Sequence, residues 1–97
     1  MKLTENSRIV YDYVKAHENE NITAADIAEA TGLTSRQVNG AITMAFQRHK
    51  EEIDGEKVEV PLMKRIPAEL EQEDGSHKAI KLIKLTDAGR EIEIEEN

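Results

Sequence analysis

The sequence predicts an α+β domain in which three helices precede a β-hairpin. Apolar residues recur at helical spacing through the first fifty residues. After residue 60 the chain becomes β-branched and extended, and an Asp-Gly pair at 74–75 interrupts it, as is typical of a tight hairpin turn. A length of 97 residues predicts one domain covering residues 1–97.

Capping residues set the predicted bounds of the first two helices. Thr4 caps the first helix, which ends in the polar run 17–21. Ile22, alone after that run, predicts a short extended link. Thr23 begins the second helix, and Gly32 follows where a helix commonly stops in a left-handed conformation.

The third helix is the best defined, and it runs from a Thr-x-x-Gln capping box at Thr34 to about residue 50. Four apolar residues form one stripe along it: Val38, Ala41, Ile42 and Ala45. Phe46 lies at the edge of that stripe. A short helix, a tight turn containing Gly and this helix together predict a helix-turn-helix over 23–50, within a helical region that covers 1–50.

The second half of the chain predicts mainly extended structure. Residues 51–59 are highly charged and predict a loop or a small turn. Residues 60–86 predict a hairpin, whose first strand is confined to a sheet edge by Pro61 and Pro67. Thr86 caps one last helical turn, and the acidic tail 92–97 is expected to be frayed.

Three stretches of the chain carry a family resemblance. They are TAADIAEATGLTSRQVNGAITMAFQR at 23–48, LMKRIPAELE at 62–71 and DGSHKAIKLIKLTDAGRE at 74–91. They resemble the winged helix-turn-helix family, most closely MarR-like regulators and small phage-encoded relatives. The resemblance implies three helices plus a β-hairpin wing, and a transcriptional regulator that binds double-stranded DNA. It also implies that helix 34–50 enters the major groove and that hairpin 62–86 lies along the backbone or minor groove.

The third helix presents side chains suited to reading bases. Opposite its apolar stripe lie five candidates: Arg36, Asn39, Gly40, Thr43 and Gln47. Arg suits guanine, Asn and Gln suit adenine, and Thr suits either base or a thymine methyl. A mid-helix Gly costs about 1 kcal/mol relative to Ala, which close approach to a groove would justify. The alternative is an ordinary solvated face, although residues 34–50 contain three basic residues and no acid.

Phosphate contacts are predicted at the start of the third helix and along the hairpin. The candidates are Ser35, Lys50, Lys64, Arg65, Lys78 and Lys81. Four acids run toward the hairpin tip and oppose this interpretation: Glu69, Glu71, Glu73 and Asp74. A solvated hairpin of paired charges is therefore the alternative there.

Composition argues against most other function classes. The chain has no Cys, and its three His fall on different predicted elements without a helical partner, so no metal site, no cofactor and no enzyme activity is predicted. No apolar run is long enough to span a bilayer, which predicts a cytoplasmic protein that does not contact membranes.

Net charge leaves two functions open. Thirteen basic and twenty acidic residues give −7, but the acids concentrate in 1–33, 51–61 and 87–97. Sequence-specific DNA binding is the first interpretation, and it expects a homodimer because one copy would hold a half-site weakly. The alternative is an acidic protein-interaction module, an adaptor or DNA-mimicking inhibitor, with a protein partner on the acidic surface 51–59.

Overall fold

The computed structural model describes residues 1–95, which form an α+β domain of four helices and two antiparallel hairpins. The helices are α1 (Glu5–Ala16), α2 (Ala24–Thr31), α3 (Ser35–Ala41) and α4 (Asp87–Glu91), and α3 continues directly into a π-helical segment, Ile42–Gln47. Strands β1 (Lys50–Ile53) and β2 (Glu56–Glu59) form the first hairpin, and strands β3 (Met63–Glu71) and β4 (His77–Leu85) the second. None of the helices within residues 1–95 has the length and apolar content needed to cross a bilayer.

The predicted helix starts are confirmed at the level of single hydrogen bonds. Thr4 accepts a bond from the amide of the third helical residue of α1. Thr23 and Thr34 each form a complete capping box, in which the side chain at the third helical position returns a bond to the cap amide. Gly32 ends α2 with φ 79°, a left-handed conformation that glycine adopts without steric cost.

The hydrophobic core lies between the first three helices and the roots of β3 and β4. Thirteen apolar residues of the described chain are buried there, and Val10, Ile27 and Leu85 have no exposed surface at all. In the link between α1 and α2, the Ile22 carbonyl accepts a 2.8 Å bond from the Ile83 amide of β4. The helices are thereby joined to the second hairpin by backbone as well as by packing.

The end of the third helix differs from the uninterrupted helix to about residue 50 that the sequence predicts. The α-helical hydrogen-bond pattern stops at Ala41, and the wider π-helical turns follow. The wider turns rotate Phe46 from the edge of the stripe into the core, where it is fully buried 5.9 Å from the Tyr11 ring. The Phe46 carbonyl also accepts a 2.9 Å bond from the Leu62 amide, which fixes the helix end to the start of β3.

The first hairpin occupies the segment predicted as a loop or small turn. Its turn is the predicted part, with Asp54 at φ 51° and Gly55 at φ 82°, as two-residue hairpin turns require. Residues of opposite charge face each other across the ladder, Lys50 opposite Glu59 and Glu52 opposite Lys57, which is a favourable cross-strand arrangement. Residues 51–59 lack the alternation of apolar and polar residues that predicts a strand, so the sequence indicates only a turn there.

The second hairpin, predicted over 60–86, has nine-residue strands. Its tip contains Gly75 at φ 85°, and Asp74 accepts bonds from the amide and hydroxyl of Ser76. Pro67 lies in β3, where a two-stranded ladder has only edge strands, as expected.

The C-terminal segment is docked where the sequence predicts a frayed tail. Thr86 caps α4 as predicted. Beyond it, Ile92 and Ile94 are half-buried against the core. The Met1 ammonium donates to the Glu93 carbonyl at 2.9 Å, and the residue 95 amide donates to the Met1 carbonyl at 2.7 Å. Residues 96–97 of the predicted tail lie outside the described residues.

Candidate nucleic-acid interface

The exposed face of α3 and its π-helical continuation contains the candidate base-reading residues. The side opposite Val38, Ile42 and Phe46, which are fully buried, points away from the core. Three candidates are exposed and two are half-buried: Arg36, Asn39 and Gly40 in the first group, Thr43 and Gln47 in the second. All five are thus accessible at least in part, and no acid occurs in residues 34–50. Thr43 and Gln47 line one groove, whereas Gly40 lines another beside the start of α1.

Arg65 of β3 reaches across to this helix face. Its Nη2 donates to the Asn39 carbonyl at 3.2 Å and to Asn39 Oδ1 at 3.1 Å, and its Nη1 donates to Gln47 Oε1. Partial burial lowers the pKa of the Arg65 guanidinium below its ordinary value. Arg65, a predicted phosphate contact, thus joins two of the predicted base readers to the hairpin.

Asn39 is held at both ends of its side-chain amide. Its Nδ2 donates to the Ser35 carbonyl at 3.0 Å, while its Oδ1 accepts from Arg65. Reading adenine requires both groups of an Asn side chain at once. In contrast, Arg36 has no hydrogen-bond or ion-pair partner among residues 1–95, and its side chain is exposed.

A groove of about 470 Å³ separates the end of this helix from the root of β3. The π-helical segment contributes Thr43 and Gln47, and the chain beyond it contributes Arg48 and Lys64. A single acid, Glu59 of the first hairpin, also lines this groove. Pro61 and Met63 complete the lining, so the groove combines apolar and polar surface, and its charged residues are two basic and one acidic.

The predicted phosphate contacts are only partly brought together. Register and strand alternation place Lys64 and Lys78 on one face of the second hairpin, and Arg65 and Lys81 on the other. Lys50 begins β1, directly opposite Glu59. Ser35 stands in the first turn of α3, away from the hairpins in sequence but on the same helix as the base-reading candidates.

Two features of this surface were missed at the level of sequence. Arg48 counts toward the basic character of residues 34–50, but only the groove shows its position next to Lys64. The Arg65 bridge joins residues 18 and 26 positions apart, and no sequence signal predicts such a contact. An Arg within a strand that follows a polar helix is the only hint of it.

The histidines of the described residues lie apart from one another. No cluster of three metal-ligating side chains occurs in residues 1–95. Each His approaches one carboxylate. His17 Nδ1 lies 2.5 Å from Glu20 Oε2, and His49 Nε2 lies 3.3 Å from Glu51 Oε1. His77 Nδ1 lies 3.8 Å from Glu69 Oε2.

Comparison with known proteins returned no match for this chain among family models, curated proteins or solved structures.

Proposed function

We propose that this chain is a winged-helix domain that binds double-stranded DNA in a sequence-specific manner, as a small transcriptional regulator. In this proposal α3 with its π-helical continuation enters the major groove, and the second hairpin is the wing. The observation that carries the proposal is the acid-free polar face of the helix, which Arg65 joins directly to β3.

Arg36 is the principal base-reading residue of this proposal. It is exposed on the first turns of α3 and keeps all its donors available, so it can pair with guanine O6 and N7. Gly40 lies one turn further along, with nothing within 4 Å of a Cβ built at that position. The edge of the DNA major groove can therefore approach the helix backbone closely at Gly40.

Asn39 and Gln47 have a second role in this proposal. Because both accept bonds from Arg65, they orient the wing relative to the helix as well as lining the reading face. Thr43 lies between them, half-buried, and its methyl and hydroxyl are suited to a thymine or to a phosphate-bound water.

The acids next to the groove between the helix end and β3 support selective rather than general DNA binding. Glu59 lines the groove, and the first hairpin adds further carboxylates beside it. Phosphate attraction supplies most non-specific affinity, so acids here reduce binding to arbitrary duplex. Affinity then depends on the base contacts of α3.

Selection from a pool of random duplexes, followed by fluorescence anisotropy across a salt series, tests the proposal. The native chain is expected to enrich one sequence, and Arg36→Ala is expected to cost about 1–3 kcal/mol of binding and to relax one base position. Lys15→Ala is the matched control, since it removes one positive charge from α1 and should leave affinity and specificity unchanged. Failure of the native chain to retain any duplex at low salt would refute DNA binding.

A protein-interaction module is the second candidate, and the acidic first hairpin favours it. This hairpin carries five acids and two exposed apolar residues, Ile53 and Val58. Neutralising Glu51, Glu52, Glu56 and Glu59 together would abolish a protein contact made by this surface. The same change would strengthen binding of a DNA-binding chain to arbitrary duplex, so the two functions give opposite results.

A further inference from the structure

The exposed apolar side chains of this protein are concentrated on its two hairpins. Five large hydrophobic residues are exposed among residues 1–95, and four of them lie on strands: Ile53, Val58, Ile66 and Leu70. The fifth, Met44, lies on the π-helical segment. Contiguous exposed apolar surface on a small domain marks a contact surface.

One face of the second hairpin is an apolar strip bordered by lysines. Register and alternation place five apolar residues on this face: Ile66, Ala68, Leu70, Ile80 and Leu82. None of the five belongs to the buried core or packs against it. Lys64 lies at the root end and Lys78 opposite Leu70 near the tip, and no acid shares this face. We call this surface the lysine-bordered strip.

One face of the first hairpin has the opposite charge. Glu51 faces Val58 across the ladder, and Ile53 faces Glu56, so these four side chains share one face. We call it the acidic face. The other face of the same hairpin holds only charged residues in opposite pairs, which compensate one another in solvent. Both apolar side chains of this hairpin therefore lie on the face where the acids, Glu51 and Glu56, have no basic residue opposite them in the ladder.

We propose that the acidic face of one copy packs on the lysine-bordered strip of a second copy, forming a two-fold homodimer. The two surfaces match in chemistry, since each combines an apolar centre with charges of one sign. Within a single chain they do not cover each other, because Ile53 remains 46% exposed and Leu70 remains 52% exposed. This inference does not rest on DNA binding, although it uses Lys64 and Lys78, which are also predicted phosphate contacts.

A second copy is the occupant that the chain itself supplies for both surfaces. Each chain carries one acidic face and one lysine-bordered strip, so a two-fold axis forms two identical contacts at once. Opposite charges at their borders select this pairing over strip against strip, which would bring lysines together. Burial of the central apolar side chains supplies the association energy.

Charge reversal on each surface tests the pairing by sedimentation equilibrium. The native chain is expected to reach twice its 10.9 kDa mass with rising concentration. Lys78→Glu on the strip and Glu56→Lys on the acidic face are each expected to raise the dimer dissociation constant about tenfold or more. Lys81→Glu and Glu52→Lys are matched controls on the opposite faces of the same hairpins, and they should dimerise like the native chain.

Mixing the two charge-reversed chains separates this pairing from other arrangements. In a heterodimer of Lys78→Glu with Glu56→Lys, one contact joins the two native surfaces, and the other brings the introduced carboxylate at position 78 to the introduced ammonium at position 56. Dimer should therefore return in the mixture, although each variant alone is weakened. Packing of strip against strip predicts instead that Glu56→Lys alone has no effect, and that result would overturn the proposal.

Removal of the apolar side chains tests the centre of the contact. Leu70→Ser and Val58→Ser are each expected to weaken the dimer about tenfold, whereas Met44→Ser, the same kind of change outside both surfaces, should not. Circular dichroism on every variant checks that the fold is retained, which the exposure of these side chains leads us to expect. A native chain that stays monomeric up to its solubility limit, or that grows into open-ended oligomers without a dimer, overturns the two-fold pairing.

Discussion

The helical body and the two hairpins of this protein are stabilised in different ways. In the body, side chains such as Ile27 and Phe46 have no exposed surface, and packing determines which residues fit. Beyond the roots of β3 and β4, the hairpins bury little, and Leu70 is half exposed. Their shape depends on turn residues and on cross-strand pairs. Apolar side chains of the hairpins are therefore available for contacts, whereas the buried apolar side chains of the body are committed to the core.

The two regions also differ in how charge is arranged. The exposed face of α3 has no acid, the first hairpin is mainly acidic, and one face of the second has only basic charges. A net charge of −7 thus describes none of the three surfaces. Contacts made by each surface depend on its local sign of charge, and this separates the proposed DNA contact from the proposed dimer contact.

The largest predicted difference between the regions is in the response to losing an apolar side chain. Phe46→Ala is expected to lower the free energy of unfolding by about 3–5 kcal/mol, because it leaves a cavity beside Tyr11 in the centre of the core. Leu70→Ala, on the second hairpin, should change it by less than about 1 kcal/mol in the monomer. Urea unfolding at a concentration below dimer formation measures both.

Met44→Ala is the control for position on the same helical segment. It lies two residues before Phe46 but is exposed, so its expected effect is within about 0.5 kcal/mol. Similar losses for Phe46→Ala and Met44→Ala would show that the π-helical rotation of Phe46 into the core is absent.

The next prediction concerns two glycines on helices. Their substitution by Ala is expected to change the free energy of unfolding in opposite directions. A Cβ at Gly89 of α4 would lie 1.9 Å from the Leu62 carbonyl oxygen, which is backbone and cannot yield easily. Gly89→Ala is therefore expected to destabilise the fold by about 1–3 kcal/mol or more. Gly40→Ala meets open space on α3 and should stabilise it by up to about 1 kcal/mol.

Thermal unfolding of both glycine variants checks the signs, and DNA binding adds a second measurement for Gly40→Ala. Under the proposed function, this variant should be more stable but bind its selected duplex more weakly, since the added methyl group obstructs close approach. A stabilised variant with undiminished affinity would remove Gly40 from the reading face.

Local sequence patterns were sufficient to predict the helices and the tip of the second hairpin. Thr23, Thr34 and Gly32 act through hydrogen bonds and backbone conformation within a few residues, which a sequence displays directly. Helical periodicity likewise predicts that Val38 and Ile42 face the core, and both are fully buried. These features depend on neighbours in the chain.

Features that depend on distant contacts could not be predicted in this way. The π-helical segment exists where Phe46 reaches Tyr11, and the C-terminal segment is held by Met1, 92 residues away from Glu93. The strands of the first hairpin are not marked by apolar alternation. The bridge from Arg65 forms because the fold brings Asn39 within reach.

The Arg65 bridge couples the two regions, and its removal gives the third prediction. Arg65→Lys keeps the charge but loses the planar fork that reaches Asn39 and Gln47 together. The free energy of unfolding should fall by only about 1 kcal/mol, because the bridge is partly exposed. Amide hydrogen exchange near the root of β3 should accelerate more than in α1.

Lys64→Ala is the control for this bridge, as it removes a charge from the neighbouring exposed position in β3 without touching Asn39 or Gln47. If the amide hydrogen exchange rates near the root of β3 are unchanged in Arg65→Lys, packing alone fixes the hairpin to the helix. In DNA binding, Arg65→Lys should also broaden the selected sequence, since Asn39 and Gln47 lose their common anchor.

The smallest expected effect lies at the tip of the second hairpin, furthest from the core. Hydrogen bonds from the hydroxyl and amide of Ser76 hold the pKa of Asp74 below its ordinary value. Ser76→Ala removes the hydroxyl and should raise this pKa toward the ordinary value, which a carboxyl NMR titration measures. Because the folded-state pKa is lowered, the stabilising contribution of Asp74 is present above its unfolded-state pKa and is lost as the pH falls through the lowered value. Native and Ser76→Ala chains should therefore differ slightly in stability at neutral pH and converge in acid. A difference that persists below both pKa values would show that the serine stabilises the turn through its backbone conformation rather than through the carboxylate.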